Sequence, residues 1–342
     1  MVVIRPIRES DQEAFEKFAL TAGTGGTSLP RNSRLLKERI LRSVASFNSE
    51  NPVGGLYVFV LEDVDSGELA GTCSIDPKTQ GAEGGFLFRV EEIIPQHTKL
   101  PMPKRIRILQ PVQINNFASE VGGLYLLPKY RHSGNGRLLS LSRFLFAAAF
   151  PNRLQSTIIA EMRGRINKDG HSPFWDAIGK HLLNLPLNRV LAEVSENPSL
   201  IPKIMPQFPI YVSMLPLAAQ RVIGRTHHNT KAAIDMLSEE GFQPTGEVDI
   251  LAAGPRLAAQ TANIRTIVNS RTATIGSVDS SPIPGMRTLI SNEKLHFRVT
   301  YGTLIENPED KTVTIHRDIA AILQVRQGDS IRYVAQPQHQ HT

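Results

Sequence analysis

Two spacings of apolar residues, every second position and every third or fourth, take turns along the first 255 residues, and their order predicts strands interleaved with helices. Val2 to Ile7 reads as a strand. Ser10 or Asp11 then offers a helix cap, and Phe15, Phe18 and Ala19 share one face of the helix that follows. Leu36, Ile40 and Leu41 are spaced for burial in a second helix from Leu35 to Val44. Tyr57 to Glu62 and Leu69 to Ile75 are strands joined as a hairpin around Asp65-Ser66-Gly67. From Asp76 to Phe117 the pattern is poor and broken by prolines and glycines, so no catalytic chemistry is placed there. Val121 to Leu127 and Thr157 to Met162 are strands flanking a glycine turn and an apolar helix. A right-handed crossover makes that pair parallel, and a ligand belongs where the two strands begin to part. Pro173 to Leu183 and Ala232 to Gly241 read as helices, separated by a proline-rich, loop-heavy insertion near 185–216. The composition shifts after Gly254. A helix-like run from Thr261 to Ser270 and a Ser/Pro/Gly segment ending at Gly285 lead to Leu295 to Ile305, Thr312 to Ile315 and GDSIRYV as strands, with one turn of helix at Ala320 to Leu323. The expected organisation is a mixed α/β unit over 1–255 and a small β-rich domain over 256–342.

Composition narrows the classes of function. The 342 residues are 41% hydrophobic and 20% charged, ordinary globular material. A net charge of +6 favours small anionic ligands, yet it is spread along the chain, which argues against nucleic acid as a partner. The longest apolar run, Leu138 to Phe150, is interrupted by Arg143 and falls short of the roughly 20 residues that a membrane span needs. The N-terminus is charged from Arg5 onward and lacks the apolar core of a secretory signal. The single cysteine, Cys73, excludes an internal disulfide framework and fits a reducing cytoplasm; in its strand-like run it reads as a packing residue rather than a nucleophile. His339 and His341, in the polar tail, read as solvated, so no metal is expected.

The segment from Leu124 to Phe150 carries the first candidate chemistry. Its turn holds Arg131, Gly134, Asn135 and Gly136 in an R-x-x-G-x-G arrangement between a strand and a helix. Glycines there let backbone N–H groups approach an anion, and the following helix aims its positive end at it. In residue order and context the segment resembles the pyrophosphate loop of the GNAT superfamily of acyltransferases. That resemblance implies a GNAT-like acyl-CoA N-acyltransferase fold for 1–255, with the small C-terminal β-rich domain added. It also implies an oxyanion site at backbone N–H groups near Leu124 to Leu126, where the superfamily splays its strands. His227 to Ile250 resembles the last helix and strand of that fold. Many members carry a proton-donating tyrosine in this helix; Leu237 stands there in this chain, so either the acid comes from elsewhere or the chain is not catalytic.

A closer resemblance spans nearly the whole sequence. TSLP at Thr27 to Pro30, RHSGNGRLLS with SRFLF at Arg131 to Phe146, IAEMRG at Ile159 to Gly164 and SPFW at Ser172 to Trp175 carry it. PIY at Pro209 to Tyr211, IGRTH at Ile223 to His227, EGF at Glu240 to Phe242, and HFRV and QGDSIRYV near the end continue it. In order and spacing these blocks resemble the arginine N-succinyltransferase family of bacterial arginine catabolism. The resemblance implies transfer of succinyl from succinyl-CoA to the α-amine of arginine; the only thiol, Cys73, lies outside the matching blocks, so direct attack is expected rather than a covalent enzyme intermediate. It also implies a proton-donor role for His227, a succinyl-CoA contact at Leu124, and a homo-oligomer or a pairing with a homologous subunit. From the residues themselves, His227 is either a proton carrier or a packing or capping group at a helix start, with His228, Asn229 or Thr230 as the cap. Two carboxylates ask for arginine or hydroxyl donors and a guanidinium asks for a carboxylate, which makes Ser28, Arg89, Glu120, Glu161 and Arg163 candidates. Glu161 is the candidate general base. The chain departs from the family in NNFASEV, in Leu127 and in ILAAGP, where acidic or hydroxyl residues are usual. Ornithine or another amine, or a CoA-binding regulatory or subunit-type homologue, therefore stands beside the arginine reading.

Overall fold

The structure, a computed structural model, describes residues 1–335 apart from 23–28, 51–54, 79–84, 96–104, 115–116, 198–199, 201–202 and 204. Most of the glycine-rich loop, Ser28 with it, and the tail histidines lie outside the described residues.

The chain opens with β1 (Val2–Pro6), α1 (Gln12–Thr21), α2 (Ser33–Phe47), and the hairpin β2 (Tyr57–Asp63) and β3 (Leu69–Asp76). The poorly patterned stretch that follows holds two long strands, β4 (Gly85–Ile93) and β5 (Ile106–Ile114), paired over nine rungs. Pro111 hid β5 from pattern reading. A proline cannot donate to a second neighbour, and β5 has only a two-rung partner on its far side. Next come β6 (Ser119–Leu126), α3 (Asn135–Ala149) and β7 (Thr157–Glu161). The run from Pro173 to Leu183 is two short helices, α4 (Pro173–Ala177) and α5 (Gly179–Leu183), broken at Ile178; a Cβ on Gly179 would lie 2.2 Å from the Trp175 ring. The insertion is more regular than its prolines suggest. It contains α6 (Leu187–Glu196), which buries Leu187, Val190 and Val194, and β8 (Ile210–Tyr211).

After the helix Lys231–Glu239, β9 (Gln243–Asp249) and β10 (Pro255–Gln260) complete the first part of the sheet. Six more strands follow: β11 (Arg271–Asp279), β12 (Thr288–Asn292), β13 (Val299–Gly302), β14 (Leu304–Asn307), β15 (Thr312–His316) and β16 (Ser330–Ala335). Among the described residues all strands join one sheet in the order β14-β15-β11-β16-β12-β13-β1-β2-β3-β6-β7-β10-β9-β4-β5-β8. Strand β1 is the seam, with β2 on one edge and β13 on the other through Ile4 and Val299.

The core crosses the seam. Phe144, Leu145 and Phe146 of α3 pack with Tyr57 and Phe59 of β2 and with Phe297 and Val299 of the C-terminal part. The Phe146 ring lies 5.3 Å from that of Phe297 and 5.4 Å from that of Phe59, both edge-on, so the two parts share one aromatic cluster. No described helix is long and apolar enough to cross a membrane.

Candidate active site

Strands β6 and β7 are parallel and pair only at Ser119–Ile158 and Glu120–Ile159; beyond Glu120 they diverge. On its other edge β6 stays bonded to β3 as far as Leu126. The sheet is therefore split on one side of β6, and a cavity of about 1430 Å³ opens there between both strands, the turn before α3 and the helix Lys231–Glu239. A bulge interrupts the β3–β6 ladder between Thr72 and Ser74, where Gly123 takes φ 60°. Bulges re-aim backbone groups, and this one lies beside Leu124, on the cavity wall.

One end of the cavity is built from backbone. Ser133 and Gly134 have φ of 53° and 74°, a left-handed pair that turns the chain into α3. The turn is pinned by Arg131, whose Nε donates to the Leu126 carbonyl at 3.0 Å, and by Asn135, whose Nδ2 donates to the Tyr130 carbonyl at 3.1 Å. The first-turn amides of a helix have no partner within it. A Cβ on Gly136 would meet no protein atom closer than Leu126 at 3.9 Å, so the space that this glycine leaves belongs to the cavity. Two C-terminal residues that no sequence motif marks close the rim. Arg287 donates to the Ser133 carbonyl and lies 3.6 Å from the centre of the Tyr301 ring, and the Tyr301 hydroxyl donates to the Gly134 carbonyl at 3.3 Å.

The other end is built from side chains. His227 is 8% exposed, and its N–H donates to the Arg163 carbonyl at 2.9 Å beside a bridge from Gly164 to Thr226. Its Nδ1 accepts from the Asn229 N–H at 3.2 Å, so His227 is itself the cap of the short helix. Capping and chemistry are compatible here: Nδ1 is spent on the backbone and Nε2 is left for a ligand. Enclosure, then Arg163, His228 and Arg165, push the imidazole pKa down to about 4. Arg163 lines the cavity with its Nε buried and unpartnered among the described residues, and burial followed by repulsion from Arg31 lowers its pKa.

Glu161 ends β7 and, like Arg163 two positions later, lines the cavity. Its carboxylate is 3.8 Å from Arg256 Nε, yet its side chain is 42% accessible because it opens into the cavity. Protein surrounds it on the other sides, and that enclosure raises its pKa; Arg256 opposes the rise, and Asp249 and Glu247 add to it. Glu120 faces Asp76 across the β3–β6 ladder. Enclosure raises its carboxyl pKa, with repulsion from Glu161 and Asp76 behind it and attraction to Arg256 and Arg39 against it.

The structure thus brings Leu124, Leu126, Arg131, Gly134, Asn135, Gly136, Glu161, Arg163 and His227 to one cavity. Glu120 lies behind Glu161 rather than on the described wall, and Arg89 pairs with Glu247 at 3.4 Å, away from the wall. Leu237 lines the wall as an apolar group. Cys73 is buried, donates to the Leu139 carbonyl at 3.1 Å, and has its pKa pushed up to about 11 by burial, so it is held as a thiol. Among the described residues no three His, Cys, Asp or Glu side chains gather as a metal site.

Comparison with known proteins matches residues 2–266 to a family described as arginine N-succinyltransferase beta subunit, and residues 271–335 to the C-terminal domain of that subunit. Arginine N-succinyltransferases of Escherichia coli O1:K1 and Salmonella paratyphi B are each 34% identical over 338 residues, which is 98% of this chain and 97% of theirs. The solved structure of arginine/ornithine succinyltransferase subunit AI from Pseudomonas aeruginosa superposes with a TM-score of 0.87 at 31% identity, covering 98% of both chains.

Proposed function

The chain belongs to the arginine N-succinyltransferase family, an acyltransferase family, and from that premise we propose that its cavity transfers succinyl from succinyl-CoA to the α-amine of arginine. The observation that carries this reading is the single cavity joining a backbone-lined anion turn to Glu161, Arg163 and His227 across the split between β6 and β7.

The glycine turn takes the pyrophosphate, and the pantetheine arm runs along the unpaired edge of β6. This sets the thioester at the bulge by Leu124, where backbone N–H groups meet the oxygen of the tetrahedral intermediate. Glu161 and Arg163 form a receptor for a zwitterion, the carboxylate of the amino acid on the guanidinium and its ammonium on Glu161. A carboxyl group with a raised pKa is a competent base for that ammonium. Glu161 accepts one proton, the amine attacks the thioester carbon, and the C–N bond forms as the C–S bond breaks. The departing sulfur takes the Nε2 proton of His227 in its protonated form, and the extra proton on the new amide nitrogen passes to water, which recharges the imidazole. A substrate carboxylate on Arg163 offsets one of the charges that hold His227 neutral, so substrate binding itself draws the imidazole toward its protonated form, in which Nδ1 carries the second proton and gives up the bond from the Asn229 N–H.

Assembly with a second copy or a homologous subunit belongs to the same reading. Phe208 and Met214 are each 81% exposed and Leu217 is 66% exposed, close in sequence to the edge strand β8, and light scattering of the purified chain reads the assembly.

Thiol release from succinyl-CoA with arginine, ornithine or no amine, with acetyl-CoA as the control donor, tests the function. Release that depends on arginine and on succinyl-CoA is the expected result. CoA binding without release for any amine would instead make the chain a subunit-type homologue without turnover of its own.

A further inference from the structure

Arg143 lies on α3 two turns after Gly136 and is only 2% exposed, yet it lines the cavity. Its Nε donates to the Ser140 carbonyl at 2.9 Å and its Nη2 to the Ser140 hydroxyl at 2.8 Å, both one turn back in its own helix. Among the described residues no carboxylate pairs with it. The other buried arginines differ: Arg5 is held by Asp11 and Glu62, and Arg256 by Glu247 and Glu161. A buried guanidinium without an anion costs on the order of several kcal/mol, so its presence in a cavity wall calls for a counter-ion that arrives from the cavity.

Its surroundings say which part of a ligand that would be. Cys73 of β3 donates to the carbonyl of Leu139, one turn before Arg143 on α3. Cys73 lies between the rungs Thr72–Tyr125 and Ser74–Gly122, directly across from the Gly123 bulge. Arg143 therefore lies on the inward side of the point where the thioester is set, whereas Arg163 stands beside His227 on the side from which the amine comes.

We infer that Arg143 is the receptor for the free carboxylate of the succinyl group and thereby selects the acyl donor. The inference rests on the succinyl-CoA reading above. From a thioester at the bulge, the two methylenes of the succinyl chain lead inward past β6 to the guanidinium, whose fork pairs with a carboxylate. An acetyl group leaves the same guanidinium buried and unpaired, the kind of mismatch by which a site rejects an analogue lacking its polar group.

The test compares kcat/KM for succinyl-CoA and acetyl-CoA, at saturating arginine, in the wild type, R143M and R143K. R143M is expected to lose about 100-fold or more with succinyl-CoA while acetyl-CoA changes only a few-fold, and R143K to recover part of the succinyl rate. Thermal melting without ligand controls for folding, since removing an unpaired buried charge leaves stability unchanged or higher. Should R143M not fold, R143K decides: a selective fall with succinyl-CoA supports the assignment, and unchanged selectivity overturns it. Equal losses with both donors, or a folded R143M that keeps the wild-type preference, would also overturn it. A wild type that uses no succinyl-CoA would instead remove the reading on which the inference rests.

Discussion

The two ends of the cavity are made of different materials. At the glycine turn the groups offered to a ligand are backbone amides held by fixed dihedral angles, with Ser133 and Gly134 left-handed and Arg131 and Asn135 bracing the turn. At the far end they are ionisable side chains whose charge depends on their neighbours: Glu161 raised by enclosure, His227 lowered by enclosure and by Arg163. A backbone site binds one shape of anion at any ordinary pH. A side-chain site can change its protonation during a reaction, at the cost of holding like charges close together. Affinity for the carrier is assigned to the first end, and turnover to the second.

The hardest test of that division is His227→Ala. Proton delivery to a leaving group contributes on the order of 10² to 10⁴ in rate, so kcat should fall by about 1000-fold while the dissociation constant for CoA stays within a few-fold of the wild type. A comparable loss of CoA affinity, read by calorimetry, would show that the two ends are not separate.

A second test uses the charge that the side-chain end suppresses. In the folded protein His227 stays neutral down to about pH 4, while a histidine in the unfolded chain takes up its proton near 6.5. Between those values the unfolded state binds more protons, so this residue removes stability as pH falls from 6.5 to 4 and adds no further slope below 4. His227→Asn keeps a cap acceptor in place of Nδ1 and removes the titration. The wild type should therefore lose on the order of 1–3 kcal/mol more than His227→Asn between pH 7 and pH 4 in denaturant melts. Parallel curves would mean that His227 is not held neutral.

The backbone end gives the reverse signature at Gly136. No described protein atom comes within 3.9 Å of a Cβ placed there, and alanine is better than glycine in a helix by about 1 kcal/mol. Gly136→Ala should melt no lower than the wild type yet bind CoA about 10-fold more weakly, because the methyl group occupies ligand space. Unchanged affinity would place the phosphates elsewhere.

The two ends also differ in how far the sequence disclosed them. The glycine turn was legible because its determinants are local: an apolar strand, R-x-x-G-x-G and an apolar helix within 27 consecutive residues from Leu124 to Phe150. The parting of β6 from β7 followed from the crossover. Strand β5 is hidden in the sequence because Pro111 breaks the alternation where the strand has a partner along only part of its far side. At the reacting end, Glu161, Arg163 and His227 could be named but their states could not. Glu120 repels Glu161 because the parallel pairing sets them on one face, and Arg163 meets His227 through a backbone bond across 64 positions. Arg143 looked like an interruption in an apolar run until the cavity beside it was seen.

The least legible contact gives the smallest expected effect and the clearest measure of what the C-terminal part adds to the backbone end. Arg287 and Ser133 are 154 residues apart in sequence, and no local pattern links them. They meet because β13 joins β1 at the seam and Phe297 enters the aromatic cluster, which fixes the C-terminal part against α3. Arg287 is exposed, so its attraction to a phosphate is screened by salt. Arg287→Ala should raise KM for the acyl-CoA a few-fold at low ionic strength and less at high, with kcat and the KM for arginine unchanged. A KM that ignores both the substitution and the salt would reduce Arg287 to a brace for the Ser133 carbonyl. A fall in kcat would tie the C-terminal part to the reacting end and break the separation between the two.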